Sequence, residues 1–227
     1  MAESVKGTVF GLGGPELLNR FGAERVIDAP ISEAGYAAVC VGAAVMGKRP
    51  ICDLMFADFT ALAFQAIVNE AAKLRYVTNG QVTVPVVFLA CQGAGIGGGL
   101  HHSNNVEGWL MQAPGLVVAS PSTVYDAVGL MRSALRGNNP VVFLVHKMGL
   151  GATSQLPEED YVVPFCKADV VQEGKDVTVI AGQWMRDIAA EAVAEVEKEG
   201  LSVELIDPRT ILPFDKDCFC KSAKKTG

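Results

Sequence analysis

Short apolar runs alternate along the chain with longer segments in which apolar residues recur every three or four positions. The short runs predict strands, and the recurring pattern predicts helices. The predicted strands are residues 25–29, 49–55, 82–90, 116–120, 140–145, 176–181 and 202–206. The predicted helices are residues 34–46, 61–77, 124–136 and 185–199. Alternating strands and helices with nearly all-apolar strands favour an α/β fold, with a parallel sheet covered on both faces.

Several predicted helices carry end signals. Thr123 followed by Asp126 is typical of a capping box at a helix start. Gly137 and Gly200 stand where a left-handed residue commonly ends a helix. The helix that begins near residue 34 is apolar on nearly every face, so we expect it to be buried.

A break in the pattern divides the chain. Residues 149–167 are rich in glycine, proline and acidic residues and have no helical or strand period, which indicates a linker. We therefore predict a first domain over residues 1–150, a linker over 151–167 and a second domain over 168–227. The second domain has room for two strands and two helices, so we expect one face and one edge of its sheet to stay open, as in a fragment.

Composition narrows the class of protein. Half of the 227 residues are hydrophobic, but the longest apolar run lies within residues 34–47 and is too short to span a bilayer. Membrane proteins and disordered chains are thus excluded. The net charge of −6 argues against a nucleic-acid partner. Six scattered cysteines are typical of buried thiols in a reducing compartment, which points to the cytoplasm or an organelle matrix.

A glycine-rich loop at residues 93–98 matches the dinucleotide pattern G-x-G-x-x-G after a predicted strand. That kind of site also needs a helix beginning inside the motif and an acidic residue about twenty positions later. Polar residues that form helices poorly follow instead, and the acidic residue is missing. The remaining interpretations are a loop that needs close backbone approach, or a loop that lines a site at the carboxyl edge of the sheet.

Two titratable residues stand out. Glu33 begins the most apolar helix, where a carboxylate should have a raised pKa or a dedicated partner, although a helix-start glutamate is also common. His102 lies in polar, glycine-rich sequence where a core role is unexpected. It is either a surface histidine or a proton donor and acceptor.

Linked motifs along most of the chain carry a resemblance to a known family. They are PISEAG (30–35), GAAVMGKRPIC (42–52), FADF (56–59), NEAAK (69–73), GGGLHHS (97–103), PGL (114–116) and NNPVV (138–142). From about Gly7 onwards the chain resembles the beta subunit of the thiamine-diphosphate-dependent 2-oxoacid dehydrogenases, and it is shorter at both ends. The resemblance implies a three-layer pyrimidine-binding domain followed by an incomplete transketolase C-terminal-type α/β domain.

The resemblance also implies roles for individual residues. Glu33 would hydrogen-bond the aminopyrimidine ring of thiamine diphosphate and share a proton with it. Phe59 would pack on that ring with Met55 as its neighbour. His102 would stand at the mouth of the active-site channel and assist acyl transfer to a lipoyl arm.

Metal ions and partners are implied in the same way. The family's potassium ion, bound mostly by backbone oxygens, maps onto Val86, Ala134, Leu135, Gly137 and Asn139, although some relatives have Asp where Gly137 stands. Magnesium and the diphosphate are held in relatives by a Gly-Asp-Gly motif, which this sequence lacks. They would therefore come from an alpha subunit, in an alpha2beta2 heterotetramer that feeds a dihydrolipoyl acyltransferase core.

The implied function is oxidative decarboxylation of a 2-oxoacid, of the pyruvate or branched-chain type, or reaction of acetoin. The substrate cannot be chosen from this sequence, because its pocket is shared with the alpha subunit. The alternative from another class is a non-catalytic, truncated scaffold. Its support is the short termini, and the presence of Glu33, Phe59 and His102 opposes it.

Overall fold

The computed structural model describes residues 1–3, 5 and 14–227, and it has the α/β fold expected from the sequence. The start of the family resemblance, near Gly7, lies outside these residues. The helices are α1 (Gly14–Phe21), α2 (Glu33–Val45), α3 (Thr60–Phe64), α4 (Leu74–Val77), α5 (Glu107–Leu110), α6 (Val124–Arg136), α7 (Trp184–Val196) and α8 (Lys216–Thr226). The strands are β1 (Ala2–Glu3), β2 (Asp28–Ala29), β3 (Ile51–Phe56), β4 (Val87–Gln92), β5 (Val117–Ala119), β6 (Val141–His146), β7 (Asp169–Gln172), β8 (Val177–Ile180), β9 (Val203–Asp207) and β10 (Thr210–Leu212).

The strands form two sheets. The larger sheet has seven strands in the order β10-β5-β6-β4-β3-β1-β2, and all neighbours are parallel except β10, which runs antiparallel to β5. The smaller sheet has the order β7-β9-β8, with β8 parallel and β7 antiparallel to β9. A mostly parallel sheet was predicted and is confirmed. The two antiparallel strands, β7 and β10, were missed, because each is short and pairs with a strand that is distant in the sequence.

Both faces of the larger sheet are covered by apolar groups. Successive residues of β4 point to opposite faces, so Phe88 belongs to one core cluster and Leu89 to the other. The first cluster includes residues of α2 and the segment after β3, and the second includes Leu130 and Ala134 of α6. This two-sided burial explains why the central strands contain almost no polar residue.

Helix α2 is less buried than its sequence predicts. Tyr36, Cys40 and Ala44 face the core, but Val39 is 55% exposed and Met46 is 81% exposed. The expectation of burial on nearly every face is therefore wrong for this chain by itself. An exposed apolar helix face on a soluble chain commonly marks a contact with another protein.

The segment predicted as a helix at 61–77 is helical but irregular. It consists of α3, a π-helical stretch (Gln65–Ala71) and α4. Helix α6 begins as predicted, since the Thr123 side chain accepts a hydrogen bond from the Asp126 backbone N–H at 3.0 Å. Gly200 has the expected left-handed conformation with φ 92°, whereas Gly137 is extended with φ −74° and ψ 173°, so its predicted left-handed cap is wrong.

The segment predicted as a linker packs along α6. Val163 is buried in the second core cluster, and its carbonyl accepts a hydrogen bond from Ser133 Oγ at 2.6 Å. The Tyr161 ring stacks on the Tyr125 ring, with 4.3 Å between centroids. Packed side chains thus anchor this irregular segment. The domain limits at residues 150 and 168 stay a prediction, although β10 lies beyond them and belongs to the larger sheet.

Helices cover both faces of the smaller sheet. Helix α7 packs on the face that contains Val179 and Val203, and α8 packs on the face that contains Thr178 and Glu204. The expectation that one whole face stays open is therefore wrong, because α8 folds back over it. Strand β8 is nevertheless an edge strand among the described residues, as expected.

Candidate active site

The candidate site lies at the carboxyl edge of the larger sheet. Three adjacent parallel strands end there at Phe56, Gln92 and His146. The segments that follow carry most of the residues singled out from the sequence. Open α/β sheets bind ligands at this edge, since the loops that leave the strands converge on it.

Glu33 is the first residue of α2 and is only 4% exposed. Its carboxylate forms no hydrogen bond or ion pair with any described residue. Glu3 and Asp53 are close enough to interact electrostatically. Burial, followed by the charges of Glu33 and Asp53, raises the pKa of Glu3. Burial also raises the pKa of Asp53.

Tyr36 completes this acidic group one turn along α2. Its hydroxyl is buried and has no hydrogen-bond partner among the described residues. Burial raises the pKa of Tyr36, and the nearby Cys52, Glu33 and Glu3 raise it further. The first turn of α2 therefore presents polar groups that lack partners among the described residues.

Met55 has a strained backbone beside this group. Its φ is 63°, a region that a side chain with Cβ rarely adopts, and the register of β3 against β4 shifts at this point. The Asp53 carboxylate accepts a hydrogen bond from the Met55 backbone N–H at 2.9 Å and helps to hold the conformation. Residues in such conformations cluster at ligand sites.

Phe59 and His102, far apart in sequence, meet in the structure. The ring centroids of Phe59 and His102 are 5.6 Å apart, and those of Phe56 and His102 are 4.5 Å apart, both edge to face. This geometry suits the opposite charges of a ring edge and a ring face. The structure thus groups His102 with Phe59, and it groups Glu33 with Glu3 and Asp53.

The glycine loop lines this edge and opens no helix. Leu100–His102 forms only a short 3-10 turn after it. Gly93 packs so closely on His146 that a Cβ there would lie 2.0 Å from the imidazole Nε2, and its φ is 89°. Close backbone approach therefore explains this glycine, and the structure gives no support to a dinucleotide site.

Sequence reasoning missed three residues that hold the loop. Lys147 follows β6, is 3% exposed, and donates hydrogen bonds to the carbonyls of Gly93 at 2.7 Å and His102 at 2.5 Å. Asn104 donates to the Asp58 carboxylate through its backbone N–H and its side chain. Asp58 directly precedes Phe59. A lysine after a strand gives no sequence signal of burial, but the FADF motif contains Asp58.

Burial and nearby charges shift the pKa values of Lys147 and two of its neighbours. Burial lowers the pKa of Lys147, against the opposing pull of Asp58 and Cys91. Burial and the Lys147 charge also lower the pKa of His146, so this imidazole tends to be neutral. The pKa of the Cys91 thiol is raised to about 11 by burial, which keeps it protonated.

A buried amide pair connects the two sheets behind the site. Gln92 Nε2 donates to Gln183 Oε1 at 3.0 Å, and Gln183 Nε2 donates to the Leu144 carbonyl at 2.9 Å. Gln183 precedes α7 and has φ 54°. The larger sheet and the smaller sheet therefore share one hydrogen-bonded network next to the site.

The positions matched to a potassium site hold a different cation. Arg49 donates from its guanidinium to the carbonyls of Leu135, at 3.1 Å, and Gly137, and to Asn138 Oδ1 at 2.7 Å. The Val86 carbonyl accepts the Val141 backbone N–H at 2.9 Å. Three of the five predicted groups thus accept hydrogen bonds in this structure, and the potassium site stays a prediction at these positions. Ala134 and Asn139 stay predictions.

The described residues contain neither a side-chain metal cluster nor a membrane-spanning helix. Within residues 1–3, 5 and 14–227, no group of three or more His, Cys, Asp and Glu side chains is placed to hold a metal ion. No helix in the same ranges has both the length and the apolar character that a bilayer span needs.

Two known families match this chain. Residues 1–152 match the family described as transketolase, pyrimidine binding domain. Residues 166–227 match the family described as transketolase, C-terminal domain.

Curated relatives are similar over most of this chain. The 2-oxoisovalerate dehydrogenase subunit beta of Bacillus subtilis (strain 168) is 43% identical over 212 residues, which cover 93% of this chain and 65% of the relative. The acetoin:2,6-dichlorophenolindophenol oxidoreductase subunit beta of Cupriavidus necator is 42% identical over 90% of this chain and 60% of the relative. The pyruvate dehydrogenase E1 component subunit beta of Rhizobium meliloti (strain 1021) is 42% identical over 93% of this chain and 46% of the relative. The chain thus spans about half to two thirds of these relatives.

A solved structure supports the fold. A split gene transketolase, described as an inactive beta4 tetramer, superposes with a TM-score of 0.81. It covers 100% of this chain and 70% of its own, at 23% sequence identity. At that identity the match concerns the fold alone.

Proposed function

We propose, from the premise that this chain belongs to the transketolase pyrimidine-binding domain family, that it acts as a beta-type subunit of a 2-oxoacid or acetoin dehydrogenase. Family membership confirms the resemblance drawn from the sequence motifs. In this function the chain supplies the pyrimidine half of a thiamine diphosphate site. An alpha subunit supplies the remainder.

The observation that carries the proposal is the unpartnered Glu33 carboxylate. It lies at the start of α2, its neighbours Glu3 and Asp53 are acidic, and no described residue donates a hydrogen bond to its carboxylate. A ring nitrogen of an aminopyrimidine that shares a proton with Glu33 would supply the missing partner. When bound, thiamine diphosphate supplies a carbon nucleophile and an electron sink for decarboxylation.

Phe59 and Met55 have positioning tasks in this proposal. Phe59 offers an aromatic ring whose position is held by the His102 contact. Met55 offers a thioether from a backbone fixed by Asp53. These side chains would pack against the pyrimidine and exclude water from the proton that Glu33 holds.

His102 stands at the edge of the same region. It is half-buried against Phe56 and Phe59, on a loop that reaches the surface. An imidazole can both donate and accept a proton. We propose that it assists the transfer of an acyl group to a lipoyl arm of a dihydrolipoyl acyltransferase.

A partner subunit is part of the proposal. The exposed apolar face of α2, with Val39 and Met46, lies on the helix that begins with Glu33. Covering that face would bury apolar surface. The alpha subunit is proposed to hold magnesium and the diphosphate, in an alpha2beta2 assembly. Potassium is left out of the proposed site, because Arg49 engages its carbonyls.

The experiment is calorimetry of thiamine diphosphate with magnesium, on the chain alone and on the chain co-purified with an alpha subunit of this family. We expect little or no binding by the chain alone and tight binding by the complex. Tight, magnesium-dependent binding to the chain alone would contradict the split site. A complex that assembles without binding the cofactor would favour the non-catalytic scaffold.

The matched variants are Glu33→Gln and Glu191→Gln, which changes an exposed glutamate of α7. In the complex, Glu33→Gln should lower turnover by about 10²–10⁴-fold, because the amide cannot relay the proton. Exchange of the cofactor's C2 proton is the direct measurement. Equal exchange in the two variants would return Glu33 to the role of an ordinary helix-start carboxylate.

A further inference from the structure

Lys147 is a buried cation to which neither the family match nor the proposed chemistry assigns a role. It is 3% exposed, and among the described residues it forms no ion pair with a carboxylate. Burying an ammonium group is unfavourable unless its donors are satisfied. Two of its donors go to the Gly93 and His102 carbonyls, and its charge lies 5.3 Å from the centroid of the Phe56 ring.

These two carbonyls stand at the two ends of the glycine loop. Between them Gly95, Gly97 and Gly99 all have positive φ, as does Gly93 itself. Glycine-rich backbone has many accessible conformations, and fixing one of them costs more entropy than for other residues. The loop therefore needs bonds from outside to hold a single conformation.

Lys147 supplies one of these bonds directly to His102. The His102 carbonyl is held by Lys147, and the His102 ring packs on Phe56, which the same ammonium group faces. The other tie, from Asn104 to Asp58, fixes the chain two residues later. Without Lys147 the loop would remain anchored at Asn104, but the His102 carbonyl would lose its hydrogen bond to the ammonium group.

We propose that Lys147 is a positioning residue that fixes the side chain of His102 by tying the glycine loop closed. The proposal deepens the function given above and rests on it for the catalytic use of His102. The tie itself is a property of this chain alone. Its test therefore needs neither cofactor nor partner.

The test compares Lys147→Met with Lys198→Met, a matched change of an exposed lysine, in the isolated chain. Amide hydrogen exchange and the NMR signals of the His102 ring, assigned with His102→Gln, are measured for both. In Lys147→Met, exchange at residues 93–104 should be about 10- to 100-fold faster, the range expected for a lost charged hydrogen bond. The His102 ring protons should shift toward the values of the neighbouring exposed His101, and Lys198→Met should match the unaltered chain.

A purely structural lysine would lower the stability without moving the native His102 signals. Unchanged ring signals in folded Lys147→Met would thus overturn the proposal. If this variant does not fold, the test is the rate at which the Lys147 amine is acetylated in the unaltered chain. Lys147 should react much more slowly than Lys198, since it must first release the loop. Equal rates would also overturn the proposal, whether or not the chain binds thiamine diphosphate.

Discussion

The two sheets of this chain follow the same alternation of strands and helices but differ in what covers them. Both faces of the larger sheet are apolar, with Phe88 and Leu89 on opposite sides of one strand. The smaller sheet has one apolar face under α7 and one polar face under α8. On the polar face the central strand carries Glu204, which accepts hydrogen bonds from Ser222 and Lys225.

The difference shows what each sheet depends on for its stability. A two-sided apolar core is stabilised by burial wherever it is close-packed. The polar face depends instead on satisfied hydrogen bonds, such as the hydroxyl pairs that Thr178 forms with Ser222, at 2.6 Å, and Thr226, at 2.8 Å. Such a network is costly when any member loses its partner. The smaller sheet should thus be the less stable region.

Matched leucine truncations should give the largest effect. Leu144 and Leu205 are both buried, on the larger and the smaller sheet respectively. Leu144→Ala should cost about 3–5 kcal/mol of unfolding free energy. Leu205→Ala should cost about 2–3 kcal/mol, because an open groove lies between the smaller sheet and α7, lined by Val179, Ile188 and Val203, and can collapse. Urea unfolding is the measurement, with exposed Leu62→Ala as control. A larger cost for Leu205→Ala would invert the comparison.

Amide hydrogen exchange should separate the sheets next. We expect β8, an edge strand, to exchange about 100-fold faster than the central strand β4, since local opening is easier where few contacts must break. Strand β10 is the informative exception. It is also an edge strand, but it pairs with β5 and its Thr210 is buried, so it should be better protected than β8. Equal protection of β8 and β4 would show that the smaller sheet is a stable unit.

The sequence predicted the parts of the fold that have strong periodicity. The central strands and helices α2, α6 and α7 were located, because a buried strand and an amphipathic helix leave a local pattern. Strands β7 and β10 were missed. Each is short, and each is stabilised by a partner that no local window contains.

The candidate site was predicted unevenly. Glu33, Phe59 and His102 came from motifs, and the roles given to them stay predictions. Lys147 and Asp58 were missed, because their importance arises from carbonyls and amides brought close by folding. The potassium positions show the opposite problem. Matching residues were found, but Arg49 reaches them from a distant segment.

Acid should weaken the polar face of the smaller sheet. Burial tends to raise the pKa of Glu204, but hydrogen bonds from Lys225 and Ser222 outweigh it, and the net pKa is lowered. A lowered folded-state pKa means that the ionised group adds stability above its ordinary value of 4.5, and that this is lost as the pH falls. Amide exchange of β9 between pH 6 and 3 is the measurement.

The larger sheet should respond to acid in the opposite sense beside α2. Burial raises the pKa values of Glu3 and Asp53, so protonating them removes the cost of a buried charge and adds stability as the pH falls through their folded values. Glu204→Gln should remove the acid sensitivity of β9 and leave that of β3 unchanged. Parallel responses of the two strands would contradict these opposite shifts.

The smallest effect concerns Arg49, whose guanidinium donates to a carbonyl at the end of α6. A cation that meets the last carbonyls of a helix contributes about 0.3–1 kcal/mol. Arg49→Met should therefore lower the melting temperature slightly, whereas Arg75→Met should not, because the exposed Arg75 side chain on α4 forms no hydrogen bond with a described residue. Melting of the unaltered chain should be the same in potassium and sodium chloride, because the guanidinium already engages Leu135 and Gly137. A melting temperature that rises with potassium alone would show that the ion binds beside Arg49 after all. If only Arg49→Met gains such a response, the carbonyls form a cation site that the arginine normally fills.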